Sequence, residues 1–150
     1  MIELTLPWPP TVNHYWARNK NGGMRVGKAG VEFRDAVNNL VYEEVGIRWR
    51  ASFSNPDFKP APIFKSKKEA DQYHVTFKTE RVKVVIQAHA PDKRRRDLDN
   101  VQKALLDSLT YAGVWGDDDQ VDDLRIFWAR GTDGKKLIGG MVKVKIEVMA

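Results

Sequence analysis

Six charged side chains crowd the point where a basic run meets the start of a predicted helix. Four consecutive bases are followed by two aspartates separated by one residue, namely Lys93, Arg94, Arg95, Arg96, Asp97 and Asp99. Lys103 follows Asp99 by four residues, so on a helix the two side chains lie on one face. A phosphate group held beside these residues would meet both acid and base.

A second acidic group, made up of Asp117, Asp118 and Asp119, comes shortly after the end of the same helix. If the intervening loop folds back, three carboxylates converge, although the spacing does not decide which of the adjacent aspartates takes part. Two carboxylates about 4 Å apart repel each other by roughly 4 kcal/mol at an effective dielectric constant near 20, so the group requires a neutralising cation. Mg²⁺ fits, because it binds through a few carboxylates and keeps its other positions for water and phosphate oxygens.

Such a site predicts hydrolysis of a phosphodiester. The metal would polarise the phosphoryl oxygen and lower the pKa of an attacking water. Lys103 would stabilise the charge that develops on the phosphate. The basic run 93–96 would grip flanking phosphates, which supplies affinity without reading the base sequence.

Each of these residues also has a purely structural interpretation. Asp97 or Asp99 could cap the helix, and Asp99 with Lys103 could form a weak surface ion pair. The basic run could be a solvated charge run, and the three adjacent aspartates could be turn residues. His89, on a predicted strand, is interpreted as a satisfied core residue rather than a metal ligand.

Composition limits the class of protein. The 150 residues suffice for one domain, and a net charge of +5 carried alongside 20 acidic residues favours a polyanionic partner. The absence of cysteine excludes disulfides, thiolate nucleophiles and cysteine zinc sites, and the three histidines lack zinc-ligand spacing. No apolar run approaches the roughly 20 residues of a membrane span. We therefore expect a cytoplasmic protein with no membrane partner and no nucleotide cofactor.

Hydrophobic periodicity predicts an α/β domain. Alternating apolar residues predict strands over 2–6, 82–90, 121–128 and 142–148, and three- and four-residue spacing predicts helices over 31–45 and 98–109, the second ended by Gly113. The expected fold is a single domain over residues 1–150, with one mixed sheet covered by two main helices. Residues 47–80 show no sustained period and are predicted to be an insertion or long loop. Trp8, Tyr15 and Trp16 could stack on bases, but aromatics near a strand end usually pack inside.

Three segments together resemble the RusA family of Holliday-junction resolvases. They are residues 4–10 with Asn13, residues 91–103 and residues 112–121. The second is the most specific, because a basic run leading into Asp-Leu-Asp-Asn, with a lysine four residues after the second aspartate, is rarely met by chance. The resemblance covers both ends of the chain and lapses between about residues 47 and 80, where the family usually has a much shorter connection.

This resemblance implies a homodimeric, Mg²⁺-dependent endonuclease, in which Mn²⁺ can substitute, that nicks two opposed strands of a four-way DNA junction in recombination and repair. Asp97, Asp99 and Asp118 match the family's metal-binding carboxylates, and Lys103 matches its catalytic lysine. We expect such a protein in the cytoplasm of a bacterial or phage-infected cell. Two alternatives stay open: a non-catalytic protein that binds branched DNA, and a nuclease for flaps or replication intermediates with the same chemistry.

Overall fold

Helices and strands alternate along the part of the chain that the computed structural model describes, which is residues 1–45 and 76–150. The elements, in chain order, are β1 (Ile2–Pro7), α1 (Val12–Tyr15), β2 (Trp16–Arg18), β3 (Met24–Val26), α2 (Lys28–Val45), β4 (Val82–His89), α3 (Leu98–Tyr111), β5 (Val121–Trp128) and β6 (Met141–Val148). A 3₁₀ turn, Asp118–Gln120, leads directly into β5. The predicted α/β class is confirmed.

The main sheet has the strand order β1-β6-β4-β5. β4 and β5 are parallel, whereas β6 is antiparallel to both β1 and β4. Parallel neighbours need a crossover connection, and α3 provides it between β4 and β5. The predicted mixed sheet is therefore confirmed, and the crossover places the start of α3 after the carboxyl end of β4.

The two faces of this sheet differ in polarity because side chains alternate along each strand. Leu4 of β1 and Ile86 of β4 both pair with Val144 of β6, and all three side chains are buried. One residue along, Thr5 and Gln87 both pair with Lys143, on the opposite, open face. Within residues 1–45 and 76–150, the helices cover the first face, which is the arrangement that an alternating pattern of this kind predicts.

Two main helices cover that apolar face. α2 packs against β1 and against α3. Their inward side chains include Val37 and Val41 of α2 and Leu105 and Leu109 of α3, all completely buried in one core. Within the described ranges, no helix is both long and apolar enough to cross a membrane.

The segment between β1 and α2 is ordered, although no helix or strand was predicted there. It contains α1 and a small antiparallel hairpin of β2 and β3, in which Trp16 pairs with Val26. Strands of three residues are too short to show a two-residue period, so the pattern gave no signal for them. The predicted insertion at residues 47–80 lies outside the described residues except for 76–80, where Phe77 forms a bridge to Trp115.

Candidate active site

Asp97 and Asp99 lie at the N-terminal end of α3. Asp97 occupies the N-cap position in extended conformation, but its carboxylate accepts no capping hydrogen bond. Asp99, the second residue of the helix, accepts a hydrogen bond of 3.0 Å from the backbone N–H of Asn100. Both residues are exposed. The capping interpretation therefore does not account for the Asp97 side chain, whose oxygens stay open to another ligand.

Lys103 lies on the face of α3 that carries Asp99. Among the residues that the structure describes, no ion pair joins Lys103 to Asp99, and Asp97 has no cationic partner either. The alternative of an ordinary surface ion pair is therefore not what the side chains form. An exposed ammonium and two exposed carboxylates thus lie within the first two turns of α3 and its N-cap without forming an ion pair in the described structure.

Asp92 forms ion pairs with two of the four bases in the basic run 93–96. Its carboxylate accepts hydrogen bonds from the guanidinium groups of Arg94, at 2.9 Å, and Arg96, at 2.8 Å. These bonds, with Arg94 the larger cause, hold the pKa of the Asp92 carboxyl well below its usual range. Lys93 and Arg95 are exposed and have no ion pair within residues 1–45 and 76–150. Arg95 and Lys93 are thus the bases whose charge is least offset inside the protein.

A buried amide fixes the acidic turn. The Gln120 side chain donates to the backbone carbonyls of Phe77, at 3.0 Å, and Glu80, at 3.1 Å. Its carbonyl oxygen accepts the backbone N–H groups of Gly116, at 2.9 Å, and Asp117, at 3.2 Å. All four hydrogen-bonding positions of this amide are thus in use. The sequence analysis assigned Gln120 no role, yet it anchors the turn that presents the second acidic group.

The three adjacent aspartates, which spacing cannot separate, have different partners. Asp117 accepts the backbone N–H of Asp119 at 3.1 Å, so it caps the 3₁₀ turn. Asp119 pairs with Arg81 at 3.3 Å. Asp118 has no cation partner in the described part of the chain. Two of the three therefore have structural roles, and Asp118 is the carboxylate left for a ligand.

Negative charge accumulates around Asp118. A side-chain hydrogen bond with Asp117 is the main cause that raises the pKa of the Asp118 carboxyl, followed by partial burial and by the charges of Asp117 and Asp107. Asp107 lies on α3, which contacts the 3₁₀ turn. A carboxylate whose pKa is raised by its neighbours is one that a divalent cation would relieve.

Asp107 is a further acidic residue that the sequence analysis missed. It follows Lys103 by four residues, so Asp99, Lys103 and Asp107 form one stripe along α3, with the acids about 12 Å apart along the helix axis. The hydroxyl of Tyr15 donates a short hydrogen bond to its carboxylate. The spacing of eight residues from Asp99 was a signal that could have identified it.

The oxygen ligands needed by a hard divalent cation are present, but they do not form a closed cage. No three His, Asp or Glu side chains within residues 1–45 and 76–150 are arranged to hold one ion. Mg²⁺ binds through one or two carboxylates and otherwise keeps water and substrate oxygens. The uncapped Asp97 and unpaired Asp99 fit that requirement, with substrate phosphate supplying further ligands.

The other singled-out residues behave in different ways. Tyr15 is only 1% exposed and Trp16 packs edge-to-face against it, in agreement with the interpretation that these aromatics pack inside. Trp8 stacks on Trp128 but also lines a cavity beside Asp97. His89 is buried as predicted, but its Nε2 has no hydrogen-bond partner among the described residues, contrary to the expectation that it is satisfied. Burial lowers the pKa of that imidazole, which favours its neutral form.

The chain is similar to known proteins over most of its length. The family model for the endodeoxyribonuclease RusA matches residues 7–149. A crossover junction endodeoxyribonuclease RusA from Escherichia coli (strain K12) is 34% identical over 138 residues, covering 90% of this chain and 88% of that protein. The corresponding protein of Shigella sonnei (strain Ss046) has the same identity and coverage. The protein of that name from Enterobacteria phage 82 is 35% identical over 135 residues, also covering 90% of this chain and 88% of its own length.

The family resemblance seen in the three sequence segments is thus confirmed. The roles of the individual residues stay predictions. This chain belongs to the RusA family of endodeoxyribonucleases.

Proposed function

We propose that the protein is a homodimeric, Mg²⁺-dependent endonuclease that resolves four-way DNA junctions by paired, symmetric nicks. Asp97, Asp99 and Asp118 bind the metal in this proposal, Lys103 is the catalytic lysine, and the basic run 93–96 holds flanking phosphates. The relatives' names, crossover junction endodeoxyribonuclease, support the reaction and the substrate. Bacterial and phage relatives support action in the cytoplasm of a bacterial or phage-infected cell.

One observation carries the proposal. The carboxylates of Asp97, Asp99 and Asp118 have no cationic partner in the described residues, although bases are plentiful close by in the chain. Unpaired carboxylates repel a nearby phosphate, and a non-catalytic DNA-binding protein gains nothing from placing them there. A divalent cation between these acids and the substrate removes that repulsion, and Mn²⁺ can take the place of Mg²⁺ on the same oxygen ligands.

The chain's own residues divide the work of the reaction. When bound, a divalent cation would supply Lewis acidity and a water of lowered pKa. Lys103, whose ammonium is exposed and unpaired in the described structure, stabilises the negative charge that grows on the phosphate. Arg95 and Lys93 neutralise flanking phosphates, while Asp92 holds Arg94 and Arg96 in one orientation. The turn anchored by Gln120 presents Asp118.

The dimer follows from the symmetry of the reaction. A four-way junction offers two opposed strands related by a two-fold axis. Two copies of one site in an isologous dimer deliver two symmetric nicks most simply. A sedimentation measurement on the free protein that gave a monomer, together with cleavage of only one strand per binding event, would remove this part of the proposal.

The test is cleavage of a labelled, mobile four-way junction and its matched linear duplex, with Mg²⁺ and with chelator. The protein is compared with Asp99→Asn and with a control, Asp123→Asn, which changes an aspartate on the open sheet face that pairs with Lys83 at 3.8 Å. We expect paired nicks in the junction, dependent on Mg²⁺, lost in Asp99→Asn and retained in the control. Junction binding should be similar in all three proteins.

Each alternative has its own outcome in this experiment. Binding without any cleavage under all conditions identifies a non-catalytic branched-DNA binder. Equal cleavage of the junction and the duplex identifies a nuclease with the same chemistry and a different substrate. Cleavage by Asp99→Asn at the parental rate overturns the site assignment.

A further inference from the structure

A cavity of about 440 Å³ opens beside Asp97, between the segment that follows β1 and the start of α3. Residues 8–11 line one side, and residues 95–97 with 100 and 101 line the other. We infer that this cavity binds one unstacked nucleobase of the DNA substrate, next to the phosphate that the candidate metal site would hold. The inference rests on the proposed function for the identity of the substrate, and it assigns that substrate a second point of recognition.

One wall of the cavity is a fixed aromatic ring. Trp8 stacks on Trp128, with ring centroids 5.8 Å apart and planes 13° from parallel. The Lys136 ammonium lies over the Trp128 ring, 4.0 Å from its centroid, and the Trp8 backbone N–H donates to the carbonyl of Gly140 at 3.2 Å. One face of the Trp8 ring packs against Trp128, so the ring is held in place. The part of the ring that is not covered by Trp128 lines the cavity. A preformed aromatic platform is what sequence-tolerant base stacking requires.

The opposite wall is polar and can contact the edge of a base. Asn100 is exposed, and its side-chain amide has no hydrogen-bond partner in the described parts of the chain. An amide presents one acceptor and two donor hydrogens, which match the edge of a nucleobase. The part-buried Arg96 guanidinium, which donates to Asp92 at 2.8 Å, adds positive charge on the same side. The Asn100 amide is uncommitted within the described residues, so a ligand can use it without displacing a structural bond.

The chemistry of the lining favours a nucleotide over simpler ligands. An isolated anion would use Arg95 and Arg96 but gains nothing from an indole wall. A purely apolar ligand would leave Asn100 and the guanidinium groups desolvated without partners, which is costly. A base with its phosphate uses the ring, the amide and the guanidinium charge together.

The position of the cavity also bears on the choice between branched and linear DNA. Asp97 both lines the cavity and belongs to the candidate metal site, so a base bound there belongs to a nucleotide adjacent to the bond that is cut. Removing a base from an intact duplex costs unpairing and unstacking energy, and this cost is smallest where stacking is already interrupted. The exchange point of a four-way junction offers such bases, so the cavity favours branched over linear DNA.

The experiment places 2-aminopurine, a fluorescent base analogue, singly at each position flanking the cleaved bond of the junction. Binding is measured with chelator present, and single-turnover cleavage of the unlabelled junction is measured with Mg²⁺. We expect one position whose fluorescence is quenched on binding far more than its neighbours. Trp8→Leu should abolish that quench and slow junction cleavage by about tenfold, as loss of one base–aromatic stack implies. Trp8→Phe should restore most of both.

Asn100→Ala guards against a structural effect of Trp8→Leu, because the Asn100 amide makes no bond within the described chain. This variant should keep the parental melting temperature and lose the preference among the four bases at the quenched position. Absence of any Trp8-dependent quench in a protein that binds and cuts the junction overturns the inference and leaves the proposed function intact. A Trp8-dependent quench without cleavage supports the cavity and overturns the nuclease. Unchanged base preference in Asn100→Ala overturns the assignment of the polar wall.

Discussion

The hydroxyl of Tyr15 donates a hydrogen bond to the carboxylate of Asp107, which joins the end of α1 to the middle of α3. Asp107 belongs to the acid and base stripe of α3, and its charge helps to raise the pKa of Asp118. The bond therefore fixes one carboxylate beside the acidic turn. It also connects the residues just after segment 4–10 to α3, the helix that begins within segment 91–103.

Tyr15→Phe tests this bond through the pH dependence of stability. Burial, and then the hydrogen bond to Asp107, raise the pKa of the Tyr15 phenol well above its usual value near 10. Above pH 10 the unfolded chain releases this proton while the folded protein keeps it, so the free energy of unfolding falls as pH rises. Below pH 10 the contribution is complete. The fall is at most about 1.4 kcal/mol per pH unit for one group.

Urea unfolding at pH 8 and pH 11 checks both parts of this prediction. At pH 8, Tyr15→Phe should lose about 1.5–3 kcal/mol, the range for a hydrogen bond to a charged group. Between pH 8 and pH 11 the variant should lose less stability than the parent. Equal losses in the two proteins would show that Tyr15 titrates alike in the folded and unfolded states.

Arg95→Ala should weaken junction binding more than Arg94→Ala. Arg95 has no ion pair in the described structure, whereas the charge of Arg94 is offset by Asp92. The measurement is the junction dissociation constant over a series of salt concentrations. Losing one phosphate contact should reduce the slope of log K against log salt by about 1 in Arg95→Ala. A smaller change is expected in Arg94→Ala, and equal slopes in the two variants would contradict the division made by Asp92.

Lys103→Ala should lower the cleavage rate and leave junction binding nearly unchanged. Its ammonium is assigned to charge that develops in the reaction, so its loss should cost about a hundredfold in single-turnover rate, a typical effect of removing one such group. Lys143→Ala is the matched control, because Lys143 is exposed on the open face of the sheet. If both variants cut equally fast, Lys103 has no special role. Parallel losses of binding and cleavage would instead make it a phosphate anchor.

Gln120→Leu should destabilise the protein and slow cleavage, because four backbone groups lose their partner. The expected loss of stability is about 1–3 kcal/mol, the cost of leaving buried polar groups unsatisfied. Junction binding should change little, since the basic run is on another segment. Denaturant unfolding and single-turnover cleavage measure the two effects. Cleavage at the parental rate would mean that the acidic turn needs no anchor to present Asp118.

The sequence predicted what depends on local periodicity and missed what depends on long-range contacts. The strand at Val121–Trp128 was predicted with its observed bounds, and Gly113, at a φ of +78°, ends α3 as expected. Spacing did not separate Asp118 from its neighbours, and the family resemblance supplied that choice. The contacts of Asp119 and Gln120 with residues 77–81 are seen only in the structure. The same is true of Asp107, whose partner lies 92 positions earlier.

Gly30→Ala should destabilise the protein, against the sign that helix propensity alone predicts. Alanine inside a helix is ordinarily favoured over glycine by roughly 0.5–1 kcal/mol. A Cβ at Gly30, in the first turn of α2, would stand 2.5 Å from the carbonyl oxygen of Tyr15 and 2.6 Å from Val26 Cγ1. Because a backbone carbonyl cannot move away without disturbing its neighbours, we expect the free energy of unfolding to fall by about 1–3 kcal/mol, the range for overpacking.

The control for this prediction is Gly23→Ala, whose added Cβ would meet only side-chain atoms at 3.4 Å. Its stability should stay within about 0.5 kcal/mol of the parent. Gly30→Ala should also reduce the alkaline loss of stability that Tyr15 causes, because shifting the Tyr15 backbone moves its hydroxyl relative to Asp107. Thermal unfolding at pH 8 and pH 11 measures both effects. A more stable Gly30→Ala protein would show that α2 can move away from Tyr15 without cost, and that the bond to Asp107 does not depend on this close approach.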